Sequence, residues 1–508
     1  MDEAPLGVQL APEQAEIVAA FMSGALTGGV RPERIDTHIS HVFLAGERVF
    51  KLKRAVKLPF VDFSKPEQRR AACAEELAIN RRLAPDLYLE VKAVTRAGDG
   101  TLALDGAGVS VEWVVVMKRF AAADLFDTMA KDGRLEPALI VETAKIVADF
   151  HGRLPPVRDA AAVTSFARVI ADLDETEREG AARHGRARIG AALFDALRQA
   201  HAVVAPLVAA RLEAGKVRRG HGDLHLRNIC LFEGAPTPFD AIEFDARLAT
   251  CDVLYDFAFL LMDLVHRGLK VHANGALNAY FDAAGEDDGA LALISFFMGL
   301  RAAVRMAVLV QAGDFEEADT YRVLGLSLLA PCVTQLVAIG GLSGTGKSVA
   351  ARGLAPDLPG PCGARILRSD VVRKVGKPEG SAPPEAYTDA ARARIYEALA
   401  ARAAQALAGA SVILDATFEL DDARCALAQI VPLARCHAFW LTAPRDIRVA
   451  RVTERRGDVS DADAEVARAQ SEPENLGALW QRIDASRTPD ETLRQLRAAL
   501  APILAPGK

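Results

Sequence analysis

The sequence predicts two architectures in tandem: an α+β region made of a small strand-rich lobe and a larger helical lobe, then an α/β region with a mostly parallel sheet. Three observations predict this. From about residue 30 to about 120 β-rich runs such as HISHVFLAGERVFKLK are mixed with helix, whereas from about 121 to 331 the pattern is mainly helical. Near residue 332 the character changes, and TQLVAIGGLSGTGKSVAARGLA reads as strand, glycine loop and helix in immediate succession. Beyond it, the strand segments ARILRSD, ASVILDATF and CHAFWLTAP alternate with helical stretches, which implies a parallel sheet covered by helices. The two regions are therefore 1–331 and 332–508.

In chain order, PEQAEIVAAFMSGAL is a helix, and the turn at 45–47 divides two alternating runs as in a hairpin. SKPEQRRAACAEELAINRRLAP reads as a helix opened by Ser64 near Pro66 and ended before Pro85. YLEVKAVTR is a β-rich run, and SVEWVVVMKRF is a buried strand that reaches a polar edge at Lys118. RRGHGDLHLRNICLF and PFDAIEFD interrupt the helical lobe, and DAAGEDDGA at 282–290 reads as a surface loop.

At 508 residues the chain exceeds one ordinary core, and 51% hydrophobic with 25% charged residues is the balance of a soluble globular protein. The 61 basic and 67 acidic residues are spread along the chain, so no strong field favours a polyanion and nucleic acid is not an expected partner. Cys73, Cys230, Cys251, Cys332, Cys362, Cys425 and Cys436 are never spaced as CxxC, which argues against a disulfide framework and a zinc site. The start MDEAPLGVQLAPEQ lacks the basic segment and apolar core of a signal peptide, and no apolar run approaches the roughly 18–20 residues of a membrane span. A cytoplasmic protein without a membrane partner is the expectation.

The stretch GLSGTGKS at 341–348 fits G-x-x-x-x-G-K-[ST] with a strand before it and a helix after it. Gly341, Ser343, Gly344, Thr345 and Gly346 let backbone N–H groups curl round phosphate oxygens, Lys347 brings positive charge to the β/γ-phosphates, and Ser348 can ligate magnesium. Asp415 ends the apolar run SVILDAT, where a carboxylate reaches the magnesium or its water shell, or caps the next helix. Asp370 stands at another strand end with Arg373 about one helical turn later; the two can orient or deprotonate a hydroxyl and pair with an anion, or act as a cap and a solvated arginine. Arg451 and Arg455 share one helix face, which is either a solvated charged face or an arginine helix that closes over a transferring phosphoryl group. The block 333–508 resembles the P-loop kinases of small molecules and polynucleotide 5′-ends, in which SDxxR, LDAT and a basic lid recur. That resemblance implies Asp370 as general base and Arg451 and Arg455 as lid residues.

GHGDLHLRNIC places Asp223 and Asn228 on one short loop. Phosphoryl transfer to a hydroxyl needs a carboxylate beside the acceptor and oxygen ligands for magnesium, and these two side chains can supply one each. His221 and His225 have no third ligand at a spacing suited to zinc. HGDLHLRNI resembles the catalytic loop of the aminoglycoside phosphotransferase and choline kinase group, relatives of the protein kinases, over about residues 30–310. The first region is then a protein-kinase-like bilobal domain, Asp223 its catalytic base, Asn228 a magnesium ligand and His221 a support of the loop. The resemblance also implies that Lys51 holds the α/β-phosphates, with Lys53 on the same strand face as the fallback, that Glu76 pairs with that lysine, and that the backbone of 114–120 holds adenine. Two departures stand out. Glu243 in FDAIEFD occupies the place of a metal-binding aspartate, with Asp240 and Asp245 nearby as substitutes, and THISHVF, where a phosphate loop belongs, has no glycine, although Ser40 can donate to phosphate. Asp252 and Asp256 fall where the family has aspartates that brace the catalytic loop.

The tandem resembles bacterial proteins in which an aminoglycoside phosphotransferase-like domain is fused to an ATP-binding P-loop kinase domain. It implies an ATP- and Mg2+-dependent phosphotransferase with two nucleotide sites, acting on hydroxyls of small-molecule acceptors. Two other classes stay open: a regulatory or protein-phosphorylating ATPase, motivated by Glu243 and the glycine-free loop, and a nucleic-acid end kinase, motivated by the P-loop block alone.

Overall fold

The computed structural model describes residues 12–58, 61–159, 165–374, 388–454 and 464–504. The chain forms two compact units, one made of Met1–Ala191, Val208–Asp263 and Val304–Thr320, the other of Ala192–Leu207, Leu264–Ala303 and Tyr321–Lys508.

In the first unit the alternating runs build a six-stranded sheet in the order Glu33–Asp36, Ser40–Ala45, Arg48–Lys53, Val109–Lys118, Tyr88–Arg96, Leu102–Leu104, with every neighbour antiparallel. Ala45 pairs with Arg48, so the hairpin turns on Gly46 and Glu47, and Gly46 takes the left-handed φ of 57° that such a turn requires. Alternation sends Phe43, Phe50, Val114 and Val116 to one face, where the helix Pro12–Ser23 stacks Phe21 on Phe43 with ring centroids 4.5 Å apart. The opposite face, carrying Val49, Val115 and Met117, lies under the helix Pro66–Asn80 through Cys73 and Leu77. Each large apolar side chain buried this way contributes about 1.5–3 kcal/mol. A one-residue slip would turn them all to the wrong face. The same register therefore fixes Lys51 and Lys53, two and four positions beyond Val49, on the side of the helix.

The rest of this unit is mainly helical, with Phe126–Lys131, Pro137–Arg153 and Phe166–Arg183 as its early members. Two short antiparallel pairs, Val217–Arg219 with Thr250–Asp252 and Ile229–Phe232 with Ala235–Pro238, hold the GHGDLHLRN loop at both ends.

The second unit contains a five-stranded parallel sheet in the order Arg365–Arg368, Val412–Asp415, Leu336–Gly341, Cys436–Thr442, Trp480–Asp484. The first four are the expected strands. The fifth was not anticipated: it is an edge strand of the sequence WQRID in which only Trp480 and Ile483 are buried. Val337, Ile339, Ile413, Phe439 and Ile483 form its core with Leu354 and Leu496 from flanking helices.

The stretch 282–290 is not the surface loop its composition suggests. Gly285, at φ 55°, closes the helix Lys270–Ala284, and Asp288 is 2% exposed. The cause is Arg365, fully buried on the outer strand, whose guanidinium reaches Asp282 at 2.5 Å and Asp288 at 2.8 Å, while Arg402 reaches the other oxygen of Asp288 at 2.6 Å. The open edge of that strand is also closed by asparagines: Asn278 accepts from the Ile366 N–H at 2.8 Å and donates to the Ala364 carbonyl at 3.1 Å, as a neighbouring strand would. Among the described residues one helical stretch, Asp288–Ala312, is long and apolar enough to cross a membrane, and 78% of its apolar window is buried inside the protein.

Candidate active sites

Lys51 and Lys53 project from one face of their strand onto Glu76, which the helix Pro66–Asn80 brings to meet them. Lys51 Nζ lies 2.8 Å from one oxygen of Glu76 and 2.5 Å from Asp240; Lys53 Nζ lies 2.5 Å from the other oxygen of Glu76 and closes on Glu243. Lys53 and Glu76 are fully enclosed, whereas Lys51 is 12% and Asp240 41% exposed. Burial opposes ionisation of Glu76, yet the two ammonium groups outweigh it and hold its pKa down to about 2. For Glu243 burial prevails over the pull of Lys53 and pushes the carboxyl up. Burial also works against both lysines, and the carboxylates raise them despite it. The single-lysine pair expected from the sequence is thus a five-membered network, with Lys51 at its open end and Lys53 at its closed end.

The GHGDLHLRN loop owes its shape to Asp256 and Asp263. Asp256 accepts the N–H groups of His221 at 2.7 Å and Gly222 at 2.8 Å and bonds His151 Nε2 at 3.0 Å; Asp263 accepts the N–H of Leu226 at 3.0 Å. The expectation that Asp256 braces this loop agrees with the contacts. Asp252 acts one step further out, in a buried pair with Arg211 at 2.6 Å. Asp263 was missed, although it stands on the same helix face one further turn pair along from Asp256. Gly220 leaves room for this brace, because a Cβ there would sit 2.3 Å from Asp256 Oδ2 and push the carboxylate aside. His221 is buried, its Nε2 bonds the Phe239 carbonyl at 2.9 Å, and burial lowers its pKa, so it is a neutral structural group. Asp223 is 39% exposed, and Asn228 Nδ2 donates to its Oδ2 at 2.9 Å and to its carbonyl at 3.0 Å. Both donors of that amide face Asp223, so the carbonyl oxygen of Asn228 is the atom that suits a hard cation. The Phe239 N–H donates to the main-chain carbonyl of Asn228 at 2.9 Å, so Asp240 follows on the adjoining stretch, and an amide oxygen with a carboxylate is the kind of donor set that fits magnesium.

Asp240 has φ 62°, uncommon for a residue with a side chain. Tyr88 Oη accepts its N–H at 3.2 Å, and Asn80 Oδ1 accepts the next N–H, of Ala241, at 2.9 Å. Neither Tyr88 nor Asn80 carries a motif that marks it for this role. Ser40 is buried, and its Oγ has no hydrogen-bond partner among the described residues, leaving a donor open within THISHVF. In the 114–120 segment the N–H groups of Lys118 and Arg119 are bonded to the carbonyls of Leu87 and Glu47.

In the second unit Gly341, Gly344 and Gly346 take φ of 139°, 84° and 90°, and a Cβ at Gly344 would meet the Arg448 carbonyl at 2.3 Å. The backbone therefore curls into a cradle that only glycines permit, and the helix Lys347–Leu354 starts directly from it. Thr345 Oγ1 and Lys347 Nζ both donate to the Leu342 carbonyl, at 2.8 and 3.1 Å. Ser348 Oγ donates to Asp415 at 2.5 Å, and Arg368 Nε lies 3.2 Å from the same carboxylate oxygen. Burial pushes the Asp415 carboxyl up, against Lys347, Ser348 and Arg368. A hydroxyl and a carboxylate held this close, at the mouth of an N–H cradle, fit magnesium and phosphate. One cradle donor is already engaged by a neutral oxygen: the Ser343 N–H bonds Gln470 Oε1 at 2.8 Å.

Asp370 and Arg373 pair at 2.7 Å on the helix Ser369–Lys374. Arg451 donates to the carbonyls of Ala485 and Arg487, each at 2.7 Å. The arginine of that helix that touches the cradle is Arg448, 4% exposed, which donates to the Ser343 carbonyl at 3.4 Å and the Ala467 carbonyl at 3.0 Å. It sits one turn before Arg451 in RDIRVARVTE, where nothing in composition separates the two. Arg455 lies outside the described residues.

Compared with known proteins, residues 336–473 match the model of the AAA domain family. The chain is 30% identical over 487 residues to uncharacterized proteins of Mycobacterium tuberculosis and Mycobacterium bovis, covering 91% of this chain and 93% of theirs. Among solved structures it is similar to a choline/ethanolamine kinase family protein from Mesorhizobium loti, at 15% identity over 63% of this chain and 95% of that one with a TM-score of 0.40. A gluconokinase from Sinorhizobium meliloti is similar at 19% identity over 34% of this chain and 95% of that one, with a TM-score of 0.27. The chain joins an α+β region built on an antiparallel sheet to an α/β region whose parallel sheet lies in the segment that matches the AAA domain family.

Proposed function

The chain belongs to one family with the mycobacterial proteins just described, and we propose that it is an ATP- and Mg2+-dependent phosphotransferase with two nucleotide sites, one in each unit, acting on hydroxyls of small molecules. The observation that carries the reading is that each unit assembles its own set of phosphate-handling groups. In the first, Asp223 and Asn228 share a braced loop and Lys51 pairs with Glu76; in the second, Ser348 Oγ donates to Asp415 beside the glycine cradle.

At the first site the acceptor hydroxyl bonds Asp223, which takes its proton as the new oxygen–phosphorus bond forms and the bond from phosphorus to the bridging oxygen of the nucleotide breaks. Lys51, held by Glu76, faces the phosphates. Asn228 with a carboxylate of the adjoining stretch would hold magnesium, which would supply neutralisation of phosphate charge. At the second site Lys347 and the cradle N–H groups bind the phosphates, Ser348 and Asp415 would hold magnesium, and Asp370 stands as the base.

The test separates the sites. Asp223→Asn and Lys347→Ala, each in the full chain, are incubated with ATP and a panel of polyols, amino sugars and amino alcohols, and products are read by mass spectrometry. Each variant is expected to lose one phosphorylated product by about 10²–10⁴-fold, the range for a positioned acid–base or charge-stabilising group. Full turnover in both variants would end the proposal. A second reading, one site regulating the other, draws on the closure of Lys53 on Glu243. It predicts that Lys347→Ala alters turnover at the Asp223 site without removing a product of its own.

A further inference from the structure

We propose that the divalent cation of the first site is held by Asn228 and Asp240, and that the ammonium group of Lys53 stands at Glu243 in place of a second cation, so that this site takes one metal ion. The inference rests on the phosphotransferase reading and deepens it. Glu243 is 4% exposed and closes on Lys53, which is itself fully buried and shared with Glu76 at 2.5 Å. The methylene that distinguishes Glu243 from an aspartate is the length that carries its carboxylate to Lys53. Pulling it away to bind a cation would leave a buried ammonium with one partner fewer in a place water does not reach, a costly change.

Asp240 is the opposite case. It is 41% exposed, and its left-handed backbone is pinned by Tyr88 and Asn80 on successive N–H groups. The Phe239 N–H donates to the Asn228 carbonyl at 2.9 Å, which sets Asp240 and Asn228 on adjoining stretches of chain. Asn228 directs its Nδ2 at Asp223, and its Oδ1 accepts no hydrogen bond among the described residues. Lys51 touches Asp240, but it keeps Glu76 at 2.8 Å when Asp240 turns to a cation. Two ammonium groups face three carboxylates in the network, so the surplus is one negative charge, and it lies at the exposed end.

Manganese counts the sites. The full chain carrying Lys347→Ala and Ser348→Ala, which disable the cradle, is titrated with Mn2+ in the presence of a non-hydrolysable ATP analogue, and bound ion is read by electron paramagnetic resonance. One Mn2+ per chain is expected. Asp240→Asn should weaken it by more than about 10-fold, since even outer-shell partners of a metal cost that much. Lys53→Met with Glu243→Leu removes the two charges together and leaves Glu76 on Lys51, and it should hold Mn2+ within about threefold. Two ions per chain, or loss of Mn2+ in the Lys53/Glu243 double variant with retention in Asp240→Asn, would overturn the inference and leave the phosphotransferase reading intact. No bound ion in the parent would overturn both.

Discussion

The two candidate centres differ in how they are written into the chain. In the second unit the cradle is one contiguous stretch, and its carboxylate Asp415 is the direct parallel neighbour of Ile339, on the strand that feeds the cradle. In the first unit Lys51 and Asp240 are 189 positions apart, and Lys53 and Glu243 are 190 apart. A cradle of main-chain N–H groups needs only its glycines and the strand and helix on either side. A cluster of side chains needs the sheet register, the helix Pro66–Asn80 and the loop after Phe239 to be right at once. The first site should therefore fail through its supports and the second through its own residues.

Arg365 is where that contrast breaks. It lies on the outer strand of the second sheet, which leads through Arg368 to Asp370, yet its partners Asp282 and Asp288 come from far upstream. Arg365→Met is expected to destabilise the second unit by about 3–5 kcal/mol, the cost of removing one partner from a buried ion pair. Trp440 and Trp480 both lie in this unit, so urea unfolding followed by fluorescence in a Trp113→Phe background reads it directly. An unchanged midpoint would mean that the upstream segment merely rests on the sheet.

A support of the first site offers the next test. In Gly220→Ala the new Cβ would meet Asp256 Oδ2 at 2.3 Å and push away the carboxylate that holds His221 and Gly222. Overpacking of this kind costs about 1–3 kcal/mol. The product that depends on Asp223 should fall while the product that depends on Lys347 stays, measured in the same acceptor screen. Equal losses of both would sink the claim that the centres are supported separately.

What was legible follows the same division. GLSGTGKS and the apolar run ending at Asp415 stand out because the strand, glycine turn and helix they need are local, and GHGDLHLRN because Asp223 and Asn228 share one loop. Lys51 and Lys53 were ambiguous for a physical reason: alternation puts both on one face, and only the arrival of Glu76 shows that both are used. Tyr88 and Asn80, which pin Asp240, look like ordinary core residues in sequence. Arg448 and Arg451 differ by less than a turn, and their assignment depends on what packs there. The acidic stretch 282–290 read as surface because burial of a charge depends on a partner elsewhere, here Arg365.

Acid should divide the two units by the smallest margin. The pKa of Glu76 in the fold is about 2, below its ordinary 4.5, so its contribution to stability is complete above pH 4.5 and is lost as the pH falls towards 2. Asp36 is lowered too: Arg34 and His41 outweigh the burial that opposes them, so it acts in the same direction. Glu243, raised by burial, works the other way, since the fold takes up its proton before the unfolded chain does. In the second unit Asp415 is likewise raised by burial, and its protonation favours the fold as the pH falls. Glu243 therefore offsets part of what Glu76 contributes, and the tilt between the units is small. Between pH 5 and pH 3, hydrogen exchange read by mass spectrometry, with each peptide referred to its chemical rate at that pH, should show protection falling in the strand Arg48–Lys53 before the strand Leu336–Gly341. The reverse order would mean that Lys51 and Lys53 do not hold Glu76 ionised, and the network at the first site would have to be redrawn around a protonated carboxyl.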